Sequence, residues 1–130
     1  MPFAVEMRFI QAAETKLGRS LPPAYIAHMC KQNGGEVLAG KDEFTLYPIQ
    51  DSSDRKRLAR TCNDIIRETA NAKEWRGFPP SALAIGDNGS GDKLILLPSS
   101  SGEKFADAVY CWDHETGQVQ LVANSFEELN

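Results

Sequence analysis

Five residues in the second half of the chain are of types that could carry proton transfer or recognition: Asp87, Asp92, Asp113, His114 and Glu115. Asp113-His114-Glu115 sets an imidazole between two carboxylates, and a neighbouring carboxylate can tune a histidine as a general base. The chemistry would be that of a hydrolase. No serine or cysteine stands in a recognisable nucleophile context, however, and all three residues are common in polar β-turns for backbone reasons alone. Asp87 and Asp92 bracket Asp87-Asn88-Gly89-Ser90-Gly91-Asp92, where oxygen ligands alternate with glycine and invite a calcium reading. The spacing fails it: the third position is Gly89, and no acid stands at the twelfth. The stretch also lacks the Lys-Ser/Thr close of a phosphate loop. The sequence thus predicts no catalytic residue, no metal ligand and no cofactor. It leaves Asp87, Asp92, Asp113, His114 and Glu115 as candidates for a recognition surface.

Cysteine chemistry is equally unpromising. Cys30, Cys62 and Cys111 are far apart and odd in number, with no spacing of a zinc knuckle or dithiol motif. Each sits in an apolar pattern, which predicts a buried, reduced thiol.

Charge speaks about partners. The net charge of −4 hides a balance of +2 over residues 1–76 and −6 over residues 77–130. A nucleic-acid binder would carry the opposite sign on its strand-rich half, so no nucleic-acid partner is expected. No apolar run approaches membrane-spanning length, and Glu6, Arg8 and Glu14 break any signal-peptide core. The expectation is a single domain of residues 1–130 in the cytoplasm, away from membranes.

The elements that must position these residues centre on two apolar runs, Ala82 to Ile85 and Leu94 to Leu97. They read as adjacent buried strands joined by the Asp87–Asp92 turn, in which glycines supply positive φ. Before them, Phe3, Met7, Ile10, Ala13 and Leu17 make one face of a first helix, closed by Gly18. Leu21-Pro22-Pro23 opens a second, with Tyr25, Ile26, Met29 and Cys30 inward and Asn33-Gly34-Gly35 at its stop. Val37-Leu38 and Phe44 to Ile49 predict a hairpin in which Phe44 and Leu46 face in while Thr45 and Tyr47 face out. Asp51-Ser52-Ser53-Asp54 caps a third helix of about four turns along Leu58, Cys62, Ile65 or Ile66, and Thr69. Its opening turns carry Arg55, Lys56, Arg57 and Arg60, either a solvated face or a small basic contact patch. Trp75 is expected to anchor the following turn onto the core. Ala108 to Trp112 reads as another core strand and Val119 to Val122 as its return. Ser125 with Glu128 forms a capping box for a last turn that points Phe126 and Leu129 inward. Helix, helix, strands, helix, strands, short helix predicts an α+β fold, with a bent, mainly antiparallel sheet covered by helices on one side.

Taken together, Leu17-Gly18, Leu21-Pro22, Tyr25, Asn33-Gly34-Gly35, Phe44, Leu46, Pro48-Ile49, Ala84-Ile85-Gly86-Asp87, Gly91-Asp92, Val109-Tyr110, Trp112-Asp113-His114-Glu115 and Ser125-Phe126 resemble the SUKH superfamily. The match is to the group named for the yeast cell-wall-assembly regulator, and it covers nearly the whole chain. The loop after Leu97 is longer and richer in serine than the pattern, and the terminal helix is short. The resemblance implies a helix-covered bent sheet without catalytic activity. Bacterial members are mostly immunity proteins that neutralise toxin domains, whereas the yeast members are signalling scaffolds. It assigns Pro22, Gly34, Gly35, Gly86, Gly91 and Trp112 to the fold. The leading expectation is a toxin domain as protein partner, bound through the polar turns, with the oligomeric state left open. A regulatory scaffold is the alternative, and a hydrolase built on Asp113-His114-Glu115 comes third. If the acids at the strand ends share one rim, a basic nuclease is the partner they would suit.

Overall fold

The computed structural model describes residues 4–129. Phe3, expected in the first helix, lies outside them. Helix α1, Met7–Leu17, ends where Gly18 at φ 74° returns its N–H to the Glu14 carbonyl. The Glu14 carboxylate accepts the Leu21 N–H at 2.7 Å, which fixes the short link to α2, Pro23–Lys31. Tyr25 and Met29 are buried there. The helix stops because Gln32 turns extended, and Gly34 and Gly35, at φ 120° and 88°, swing the chain into a strand. Asn33 is buried beside them. Its side chain donates to the Ile49 carbonyl and accepts the Ile49 N–H, both at 2.8 Å, as a neighbouring strand would.

Six strands follow: β1 Gly35–Ala39, β2 Asp42–Leu46, β3 Leu83–Asp87, β4 Lys93–Pro98, β5 Phe105–Trp112 and β6 Val119–Ala123. They form one antiparallel sheet in the order β1-β2-β3-β4-β5-β6, each pairing with its neighbours in the chain. The fold is the expected α+β class. Strands β3 and β4 form the central hairpin, and Leu83 to Gly86 and Leu94 to Leu96 are buried along their length. Strand β2 lies opposite β3 over Thr45↔Asp87 and Leu46↔Gly86, and the Tyr47 N–H adds a bond to the Ile85 carbonyl at 2.8 Å before the chain leaves the sheet. The edge it abandons is taken up by a helix: the Ala84 N–H donates to Thr69 Oγ1 at 2.8 Å.

That helix differs from expectation. The single third helix is two, α3 Arg55–Arg60 and α4 Ile65–Ala72. Asp54 caps the first by accepting the Arg57 N–H; Asp64 starts the second by accepting the N–H groups of Ile66 and Arg67. A second capping aspartate, with Thr61 bonded back to the Arg57 carbonyl, is what divides the run. Leu58 is consequently exposed, and so is Cys62 in the break. Cys30 and Cys111 are half-buried, so the expectation of three buried thiols does not hold. Tyr47 is buried rather than outward-facing: its N–H donates to the Ile85 carbonyl at 2.8 Å and its hydroxyl turns to Asp87. Trp75 is 52% exposed and anchors nothing in the core. Phe78 takes that place, edge-on to the buried Trp112 with ring centres 5.1 Å apart. At the end of the chain Ser125 caps a 3-10 turn, Phe126–Glu128, whose Phe126 packs edge-on to Tyr25 at 5.2 Å. Glu128 reaches the Asn124 N–H instead of that of Ser125.

Two core positions give opposite expectations. A Cβ on Gly86 would stand 2.7 Å from the Thr45 carbonyl oxygen, where backbone cannot yield cheaply. Gly86→Ala should therefore cost about 1–3 kcal/mol in urea unfolding; an unchanged midpoint would refute the close approach. Tyr25 is fully buried with a hydroxyl that finds no partner among the described residues, and burial drives its ionisation well above the ordinary range. An unsatisfied buried hydroxyl costs about 1 kcal/mol or more. Tyr25→Phe should hold or raise the midpoint, and a clear loss would show that the hydroxyl is satisfied.

Candidate functional site

Antiparallel pairing brings two turns to the same end of the sheet, because Lys93 at the start of β4 lies opposite Trp112 at the end of β5. The first turn joins β3 to β4 through Asn88–Asp92, and the second joins β5 to β6 through Asp113–Gln118. Asp92 spans them. Its Oδ1 accepts the His114 backbone N–H at 3.2 Å and lies 2.7 Å from His114 Nδ1. With the proton on Nδ1, the ring is held by a charge-assisted bond. Burial opposes ionisation of Asp92, but the bonds from His114 and Asn88 outweigh it and hold the carboxyl below its ordinary range. Gly91, at φ 109°, is required beside them, since a Cβ there would stand 3.0 Å from the His114 ring.

The other candidates divide by role. Asp113 Oδ1 accepts the Glu115 and Thr116 N–H groups and so shapes its own turn. Glu115 projects into solvent, its side chain 80% exposed and 3.9 Å from His114 Nε2. Asp87 lies a strand away in a different set of bonds. Its Oδ2 accepts the Tyr47 hydroxyl proton at 2.6 Å, the Tyr47 hydroxyl oxygen accepts from Lys93 Nζ at 2.7 Å, and Lys93 Nζ lies 3.9 Å from Asp87 Oδ2. Asp92, Asp113 and His114 therefore come together while Asp87 stands apart. Those three bring possible ligand atoms within 4.8 Å of one another. Yet Asp92 Oδ1 and His114 Nδ1 are already committed to each other, and Asp113 Oδ1 to two N–H groups. The donor set is that of a braced turn. Behind it, burial and the charges of Asp92, Asp42 and Asp113 push the Cys111 thiol up to about 11.

Sequence reasoning missed the neighbour that completes this rim. Trp75 stands edge-on to His114, ring centres 6.0 Å apart, with half its surface in water. It lies in Lys73-Glu74-Trp75-Arg76-Gly77, and that wholly polar surrounding marks an outward tryptophan. The indole is held here because Gly77 lends its carbonyl to the Trp112 Nε1–H at 3.0 Å. Of the basic residues opening α3, Arg57 and Arg60 line a separate cleft of about 400 Å³ with Asn33, Gly34, Thr61 and Asn63, where Arg57 reaches Asp51 at 3.8 Å.

The profile of the SMI1 / KNR4 family (SUKH-1) matches residues 7–129. The chain belongs to that family. The resemblance read from the motifs is the one found, and the curled antiparallel sheet agrees with it. Membership supports a protein-binding module in general. Comparison with curated proteins gives no match. No helix among the described residues is long and apolar enough to cross a membrane.

The Asp92 bond makes stability depend on pH with a definite sign. A carboxyl depressed in the folded state contributes fully above its ordinary value of 3.8, and that contribution fades as pH falls through the folded value. Asp92→Asn should lower the urea midpoint at pH 7 and bring the two proteins together in strongly acidic buffer. A gap that stays constant with pH would show that the carboxylate charge is not what His114 uses.

Proposed function

We propose that the protein is a non-catalytic binding module of immunity type, which docks a toxin domain on the rim around Trp75, His114 and Glu115. The observation that carries this reading is the half-exposed Trp75 braced edge-on by a histidine that Asp92 holds in place. Tryptophan is the residue type most enriched in binding hot spots, and a pre-ordered one loses little freedom on binding. His114 supports it from the chemical side. One ring nitrogen is bonded to Asp92, the other faces Glu115, and the ring's edge contact is Trp75. These contacts suit bracing better than proton transfer to a substrate.

The rim's charge also suits a basic partner such as a nuclease domain. Glu115 is its outermost acid, whereas Asp87 and Asp92 are occupied within the fold, so the screening-sensitive part of the attraction rests mainly on Glu115.

Co-expression with a candidate toxin domain, sought first among the neighbouring genes, tests the reading. The protein should rescue growth and co-purify with that domain. Trp75→Ala should weaken the complex at least about thirty-fold, as loss of a hot spot does, with the melting temperature unchanged because the ring packs on nothing in the core. Glu115→Gln should slow association and flatten its salt dependence. Rescue undiminished by either change would place the interface elsewhere, and turnover abolished by His114→Ala in a folded protein would replace the binding reading with a catalytic one.

A further inference from the structure

The edge strand β6 begins where the rim ends, and it lacks the protection such strands usually carry. It pairs with β5 alone, and no charge or proline occurs from Thr116 through Phe126 in a chain that is 25% charged. Sheets ordinarily blunt such an edge with lysine, proline or an inward charge, because its unpaired N–H and C=O groups are a template for another strand. The opposite edge, β1, does carry a charge, the exposed Glu36, whose nearness raises the Glu43 carboxyl on β2.

The polarity of the bare edge can be worked out. The Asp113 N–H donates to the Gln118 carbonyl at 2.9 Å, and antiparallel bonding alternates, so Gln120 and Cys111 make the next bonded pair. Val119 and Leu121 therefore turn their N–H and C=O groups outward. Their side chains are also exposed, at 37% and 57%, on the face of the sheet that holds Trp112 and Tyr110. Val122 is an extra residue opposite the Tyr110–Val109 step, so regular pairing is available over the first half of the strand. Gly117, just before it, lies near Gly77 in the loop that presents Trp75: a Cβ on Gly117 would stand 3.7 Å from the Gly77 Cα. Indole, Val119 and Leu121 thus lie along one border.

Charge identifies what fits. The uncharged strand is flanked by Asp113 and Glu115 at one end and by Glu127 and Glu128 at the other. A second copy is the poorer match, because it would bring the same acid-flanked segment, with no lysine or arginine after Lys104, to an edge that is already acidic at both ends. We propose that β6 takes up an extended segment of the partner as a seventh strand, one that alternates apolar and polar side chains and carries lysine or arginine at its ends. This rests on the protein-binding reading and specifies the partner's chemistry.

The probe is the peptide Lys-Lys-Val-Thr-Val-Thr-Val-Lys-Lys at millimolar concentration against the full chain, with amide exchange read by NMR. The Val119 and Leu121 amides should exchange at least about ten-fold more slowly once bonded to a new strand. The same peptide with glutamate ends, or N-methylated at alternate residues, should protect them far less, and Glu115→Lys with Glu127→Lys should reverse the charge preference. Equal protection by both peptides, or none by the lysine-ended one, overturns the proposal. Concentration-dependent dimerisation abolished by Leu121→Lys overturns it too, in favour of a second copy. The peptide assay uses no toxin, so it stands if the immunity reading fails. A toxin complex in which both amides still exchange freely would overturn strand addition alone.

Discussion

The indole N–H of Trp112 is a donor inside a core that offers it one acceptor, the carbonyl of Gly77. A buried donor left unmet costs far more than the net worth of one bond, so that pairing constrains everything around it. It holds the chain after α4 against the end of the sheet, with Phe78 edge-on to the same ring and Trp75, two residues before the glycine, at the rim. A core requirement thus sets which aromatic residue is presented to solvent. Trp75 and Trp112 are the same residue type with opposite fates, and the hydrogen bond of one determines the exposure of the other.

The carboxylates show a comparable division. Five acid or histidine side chains drawn from two turns could have formed a site for chemistry, and most are used to shape backbone. Asp92 ties turn to turn, Asp113 caps its own turn, and Asp87 closes a lysine–tyrosine–aspartate chain between β4, the residue after β2, and β3. Burial, then the Asp87 bond, pushes the Tyr47 phenol far above its usual range, so that group is fixed as a neutral donor. Glu115 alone of the set extends fully into water. Recognition chemistry is left to what the turns project outward.

How much of this was legible in the sequence follows from which physical cause governed each element. The central hairpin could be read because its causes are local: short apolar runs, and glycines where the backbone needs positive φ. The α+β class followed from element order. The break between α3 and α4 is not legible, because the apolar spacing of Leu58, Cys62, Ile65 and Thr69 runs on across it while Asp64 caps a new helix. Trp75 was placed in the core on residue type, although its polar neighbours argued otherwise. Cys62 followed the misread helix outward. The pairing of Asp92 with His114 joins residues 22 apart in the chain, and no local pattern encodes a contact that exists only once β4 lies beside β5. Asp87 fell at a strand end as expected, but nothing in its surroundings in the chain pointed to Tyr47.

The sheet's strict nearest-neighbour order has a consequence for how the chain assembles. Every strand pairs with one already made, through tight turns or short loops except where α3 and α4 intervene between β2 and β3, so the sheet can grow from β1 toward β6 during synthesis. At every stage of that growth the newest strand is a bare edge. Five such edges are covered in turn by the next arrival. The sixth keeps the form of an intermediate in the finished protein: a ladder stopped one strand short.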